Sequence, residues 1–201
     1  MIHRQAEGTL RRLAKGYAIV VVTGPRQSGK STLARALSKS LGAVWLRTDE
    51  IRLTEFAKYR KTGEGFTEGI YSPQVSNKVY HRLIERAEAL LKLGRSVVCD
   101  GTFSRVIGRE ALRRLAKRRQ ASFHFFECVV PKAVALRRIA VRYAAKSDIS
   151  EARPEHYNRM RAGFEPVRNW PSQDWTRLSD DRAPEATFQA AAAVLRRAWS
   201  K

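Results

Sequence analysis

The stretch Tyr17-Ala18-Ile19-Val20-Val21-Val22-Thr23-Gly24-Pro25-Arg26-Gln27-Ser28-Gly29-Lys30-Ser31-Thr32 decides the reading of this chain. Its first half is a short, uncharged, β-branched run, the pattern of a strand buried on both faces. Its second half fits G-x-x-x-x-G-K-[ST]. From Lys30 the chain continues with Leu33, Ala34, Leu37 and Leu41 at helical spacing until Gly42 stops it. Strand, glycine turn and helix in that order are the context in which the pattern carries chemistry. The glycines let successive N–H groups close around an anion, and the helix start adds the positive end of its dipole. Gly24 to Thr32 are therefore expected to hold the triphosphate of ATP. Lys30 is expected to reach the β- and γ-phosphates, and the Ser31 hydroxyl to bind Mg²⁺.

Outward from this stretch, strand-like and helix-like segments alternate. Residues 43–46, 96–100, 122–130 and 175–178 read as further strands. Residues 49–59, 75–93, 105–120, 133–145, 155–164 and 185–199 read as helices, and the glycine-rich 62–73 as a loop. Such alternation predicts an α/β fold with a parallel sheet covered on both faces. The expected form is a three-layer α/β/α P-loop NTPase with a five-stranded parallel sheet, nucleoside-monophosphate-kinase-like, with a helical lid over about 132–165. No internal repeat or Pro/Ser-rich linker divides the chain, so residues 1–201 are expected to form one domain.

Composition narrows the setting. With 43% apolar residues among 201, a core forms and wholesale disorder is excluded. There is no apolar run long enough for a transmembrane helix and no leader-like segment at Met1, so a cytoplasmic protein away from the membrane is expected. Cys99 and Cys128 both sit in strand-like runs, the pattern of buried thiols in a reducing compartment. The formal net charge is +20, and residues 101–146 carry twelve basic residues against Glu110 and Glu127. A chain this basic attracts polyanions, so RNA or DNA enters as a candidate partner.

Three further features bear on the reaction. Val97-Val98-Cys99-Asp100 is an apolar strand ending in the acid expected on the metal side of a P-loop, so Asp100 joins Ser31 as a candidate Mg²⁺ ligand. Gly101 follows it where many mechanical ATPases carry a water-activating Glu, and Asn77-Lys78 lacks the Asp that guanine recognition needs two residues on. Hydrolysis-coupled motors and GTPases thus lose ground to small kinases. A kinase needs a proton acceptor for the attacking hydroxyl, and Asp49, just after the second strand, is the candidate. Arg52 lies three residues on, on the same helix face, placed to hold an anionic part of the acceptor or to steady the carboxylate. Arg138 and Arg142, four apart, are candidates for a lid that clamps ATP over its leaving phosphates.

On these residues the chain resembles P-loop kinases of the AAA-type ATP-binding, zeta-toxin and polynucleotide-kinase-like group. It is especially similar to the ATP-binding domain often fused behind an aminoglycoside-phosphotransferase-like domain. The similarity lies in Gly24–Ser31, Thr48-Asp49-Glu50-Ile51-Arg52, Gly69-Ile70-Tyr71-Ser72-Pro73, Ser96–Phe103, Arg138 with Arg142, Ser147-Asp148 and Phe164-Glu165-Pro166. The resemblance implies that Asp49 supplies the base, Arg52 an acceptor-phosphate ligand, Arg138 and Arg142 the lid pair, and Thr102 and Phe103 part of the pocket lining. The helix over 105–119 is more basic than is usual in that group, and the chain holds only the ATP-binding part of the fused arrangement.

Three functions follow as expectations. One is a kinase whose hydroxyl acceptor is a nucleotide, RNA or DNA, toward which the charge leans. A second is a small-molecule kinase acting on a sugar, a sugar nucleotide or an antibiotic. The third is a nucleotide-binding switch module with no transfer activity.

Overall fold

The computed structural model describes residues 10, 13–14, 16–25, 28–60, 68–144, 158, 162–179, 181 and 183–200. Five strands, β1 (Ala18–Thr23), β2 (Val44–Arg47), β3 (Val97–Asp100), β4 (Ser122–Val129) and β5 (Trp175–Ser179), form one sheet in the order β2-β3-β1-β4-β5. Every neighbouring pair is parallel. The order follows from side chains: all six residues of β1 are buried, so it takes the centre, whereas β2 and β5 keep partly exposed residues and take the edges.

Two layers of helix cover the sheet. On one face lie α1 (Lys30–Leu41) and α6 (Pro184–Trp199); on the other lie α3 (Pro73–Lys92) and α4 (Val106–Arg118). The two-residue alternation of β1 feeds both cores. Val20 and Val22 meet Leu33, Leu37, Leu195 and Trp199, while Ile19 and Val21 meet Val79, Leu83, Leu112 and Leu115. Each such side chain contributes about 1.5–3 kcal/mol on burial, so β1 anchors both layers. Between β2 and α3 runs the short α2 (Thr48–Glu55), and after β4 comes α5 (Lys132–Ala144). In α5, Ala135 and Ile139 form a small cluster with Val130 and Leu136, separate from the two main cores among the described residues.

Differences from the sequence reading are local. The expected helix over 49–59 starts at Thr48 and stops at Glu55; Phe56 leaves helical geometry and Ala57–Tyr59 forms a separate 3₁₀ turn. Arg82 and Arg86 of α3 grip the Glu55 carboxylate at 2.7 and 2.5 Å, fixing where α2 ends. Of the helix expected over 155–164, residues 155–157 and 159–161 lie outside the described residues, as do Arg26, Gln27 and the Ser147-Asp148 pair. Among the described residues, no helix is long and apolar enough to cross a membrane.

Candidate active site

Parallel strands deliver their carboxyl ends to one edge of the sheet, and β1, β2 and β3 there end in the glycine loop, Thr48-Asp49 and Asp100. Gly24 begins the loop with φ +146°, a conformation that disfavours any Cβ. A Cβ there would stand 2.4 Å from the Cys128 carbonyl and 2.5 Å from Ser28 Oγ, so the close approach of β4 requires glycine. Ser28 N–H donates to Pro25 O at 3.2 Å and tightens the turn. Gly29, at φ 76°, is the N-cap of α1, so the helix opens with Lys30, Ser31 and Thr32 and its first N–H groups unpaired. Ser28 is wholly buried, and its hydroxyl has no hydrogen-bond partner.

The surroundings of Asp100 show which groups meet. Burial pushes its carboxyl above the usual carboxylate range; Lys30 and a hydrogen bond with Ser31 pull it back, Asp49 pushes it up, and Arg47 lowers it. An ammonium, a hydroxyl and two carboxylates thus converge at the start of α1. Hard oxygen donors beside an ammonium and a glycine nest fit a triphosphate with a divalent cation such as Mg²⁺, held by Ser31 and Asp100.

Beside this cluster, α2, α3 and the turn after β3 pack together. Arg52 is buried: its Nη1 donates to Ile70 O and to Ser76 Oγ at 3.3 Å, and its guanidinium lies 5.0 Å from the Tyr71 ring. It therefore ties α2 to the 3₁₀ turn Gly69–Tyr71 and to α3. Gly101 lets the backbone turn beside Thr48; a Cβ would sit 2.6 Å from Thr48 Cγ2. Phe103 follows with φ +39°, a left-handed conformation costing a bulky residue about 1–3 kcal/mol. Tyr80 of α3 accepts from Phe103 N–H at 2.9 Å and shares a hydrogen bond of 3.1 Å with Thr102 Oγ1, while Thr23 Oγ1 donates to Thr102 O. Burial raises the Tyr80 phenol, with Arg52 and Asp49 both near enough to influence it.

Arg138 lies in α5 with Arg142 one turn further along; the Arg142 side chain is outside the described residues. The exposed cations at the end of the basic helix lie away from the glycine loop. Tyr17, just before β1, donates from its hydroxyl to Arg119 O at 2.7 Å, so α4 ends at the amino edge of the sheet, opposite the glycine loop. Arg114, Lys117 and Arg118, exposed in its last two turns, go with it. Arg109, one of the twelve basic residues of 101–146, is 1% exposed. Its Nη2 donates to Glu165 O at 2.6 Å and to Ser104 O at 3.4 Å. Sequence reasoning passed over this burial and the Tyr80 contacts. Arg109 shares a helical stripe with Leu112 and Ala116, a signal that was present; Tyr80 meets residues more than twenty positions away, and no local pattern announces that.

The AAA domain family model matches residues 19–167. Uncharacterized proteins of Mycobacterium bovis and Mycobacterium tuberculosis are 33% identical over 132 residues, which is 65% of this chain. The chain spans about a quarter (26%) of the length of these curated relatives. Among solved structures, a sugar kinase from a Janibacter species superposes with a TM-score of 0.68 at 19% identity, over 90% of this chain and 98% of that one. A gluconokinase from Sinorhizobium meliloti gives 0.69 at 16% identity, over 92% and 94%. The Mycobacterium tuberculosis APS kinase, in complex with AMPPNP and APS, gives 0.66 at 22% identity, over 89% and 97%. These likenesses establish the fold.

Proposed function

The chain belongs to the AAA domain family, and from that premise we propose that it is an ATP- and Mg²⁺-dependent phosphotransferase moving a γ-phosphoryl group to a hydroxyl of a small-molecule acceptor. The observation that carries this is the meeting of Lys30, Ser31, Asp49 and Asp100 on one edge of the sheet. In this reading Gly24 to Thr32 hold the triphosphate, and Lys30 lies along its β- and γ-oxygens. Mg²⁺ bound at Ser31 and Asp100 would neutralise the charge that builds on the transferring group. Asp49 takes the proton of the attacking hydroxyl, and Arg138 and Arg142 close over the phosphates and exclude water. Arg52 steadies the helix that carries Asp49.

A small acceptor is favoured because the exposed cations of α4 stand at the far edge of the sheet from the glycine loop. The sugar kinase, gluconokinase and APS kinase with the same fold also carry small-molecule acceptors in their names. A polynucleotide hydroxyl is the second reading, and the net charge of +20 favours it. The test is transfer from γ-labelled ATP to a panel of sugars, sugar acids, nucleotides and 5′-hydroxyl oligonucleotides. Lys30→Ala is expected to abolish transfer. Asp49→Asn is expected to lower it by roughly 10²–10⁴ while ATP binding stays within about twofold. Full activity in Asp49→Asn removes the base, and a wild-type protein that labels nothing leaves only a nucleotide-binding switch.

A further inference from the structure

Asp49 and Asp100 sit at the ends of neighbouring strands, paired so that Arg47 stands opposite Asp100. Beyond that pairing, α3 ties the helix that carries Asp49 to the turn that leaves Asp100. Ser76 and Tyr80 are one helical turn apart on it and point to the same side. Ser76 Oγ accepts from Arg52 Nη1 at 3.3 Å, which holds the helix bearing Asp49. The Tyr80 hydroxyl holds Thr102 Oγ1 at 3.1 Å and Phe103 N–H at 2.9 Å, which is the turn leaving Asp100.

That turn does not rest in a relaxed conformation. Phe103 has φ +39° although it is not glycine. Its ring is buried and packs on the Tyr80 ring, centroids 5.0 Å apart. Thr102 is pinned on its other side by Thr23 at the end of β1, and Gly101 N–H donates to Val22 O at 3.3 Å. A left-handed aromatic residue persists only where its surroundings over-determine it, and such residues gather at sites where the geometry is used.

We propose that Tyr80, with Ser76, is a positioning residue for phosphoryl transfer: the pair brackets Arg52 and the Gly101–Phe103 turn from one face of α3, setting Asp49 and Thr102 in register with the phosphate nest. This rests on the phosphotransferase reading above. Tyr80 touches neither phosphate nor acceptor in this role; its hydroxyl holds the turn that carries Thr102 and Phe103. The bracket makes catalysis sensitive to a single phenolic oxygen that contributes little to nucleotide binding.

The test is Mg²⁺-dependent release of ADP from ATP, with water and with gluconate as acceptors, alongside calorimetric binding of AMPPNP. Tyr80→Phe keeps the ring and removes only the oxygen. It is expected to lower turnover at least tenfold, with AMPPNP affinity within twofold and the ATP KM little changed, a split that general loosening of the fold does not produce. Thr102→Val, which leaves Tyr80 and its bond to Phe103 N–H in place, is expected to give a loss no larger than that. The double variant is expected to be no worse than Tyr80→Phe alone, because that change already removes the contact to Thr102 along with the one to Phe103. Wild-type turnover in Tyr80→Phe while Lys30→Ala has lost it overturns the bracket and leaves the phosphotransferase standing, as do losses that multiply in the double variant. Release that does not depend on Lys30 overturns the phosphotransferase reading, and the bracket with it.

Discussion

His124 shows how much a single ring in this sheet contributes. It lies on β4, wholly buried, with Nδ1 2.8 Å from Gln173 O and Nε2 3.0 Å from Thr176 Oγ1. A carbonyl only accepts, so Nδ1 carries the proton and Nε2 accepts from the threonine hydroxyl, which satisfies the neutral ring completely. Burial lowers its pKa from 6.5 to about 4, against the smaller opposing effects of Gln173 and Asp174. As pH falls, the unfolded chain takes up this proton first. The stabilisation is therefore whole above pH 6.5 and is lost progressively down to about pH 4, a change of about 3 kcal/mol. Urea unfolding of the wild type and of His124→Leu across that window measures it. The wild type is expected to show the steeper decline, and parallel pH profiles would remove the ring as the cause. Nothing in the local pattern Ser122-Phe123-His124-Phe125-Phe126 separates this histidine from a ligand or a surface group. Its role depends on the pairing of β5 with β4, which only the assembled sheet supplies.

At the scale of elements, α4 and the segment from Phe164 to Asp174 act as one unit. The Glu165 carboxylate accepts from Val106 N–H at 2.5 Å at the start of α4 and pairs with Arg105 at 2.8 Å. Trp170 Nε1 donates to Glu110 at 2.6 Å, and Arg113 pairs with Asp174 at 2.7 Å. Arg109 is the buried member of the series, its guanidinium 5.1 Å from the Phe164 ring and 5.9 Å from that of Phe125. Removing it leaves the Glu165 carbonyl without this donor, whereas Ser104 O keeps the Glu165 N–H at 2.9 Å, so Arg109→Ala is expected to destabilise the fold by about 3 kcal/mol. Arg109→Met, which refills the volume, is expected to lose about half as much; chemical denaturation of both variants measures the difference, and equal losses would assign the whole effect to the lost hydrogen bonds. This unit also shows what the sequence could convey. The strand–glycine loop–helix opening and Asp100 were legible because each is a local pattern with one common reading. Phe164-Glu165-Pro166 stood out only through resemblance. A charge count places Arg109 with the other cations of 101–146 and does not show its place on the buried stripe with Leu112 and Ala116. The end of α2 at Glu55 depended on Arg82 and Arg86, which lie across the fold and leave no mark near residue 55.

For the molecule as a whole, the question is whether a net charge of +20 serves the site. β1 has six residues, and at about 3.3 Å each the two edges of the sheet stand roughly 20 Å apart. That exceeds a Debye length of about 8 Å at physiological salt, so cations at the amino edge scarcely act on phosphates bound at the carboxyl edge. Arg114, Lys117 and Arg118 are exposed at the amino edge, whereas Arg113 and Arg119 there are already paired with Asp174 and Glu88. Changing the three exposed residues to alanine is therefore expected to leave AMPPNP affinity and ATP turnover within about twofold. The same change is expected to weaken binding to duplex DNA and to reduce the slope of log K against log salt by about 2 to 3, as three lost phosphate contacts require. Titrations of both ligands at several salt concentrations check the two halves together. A fall in ATP turnover would mean that the basic edge is coupled to the phosphate nest after all. Loss of transfer to a 5′-hydroxyl oligonucleotide, with sugar acids still phosphorylated, would make that edge a track for a polynucleotide acceptor and restore to the charge a catalytic purpose that distance alone denies it.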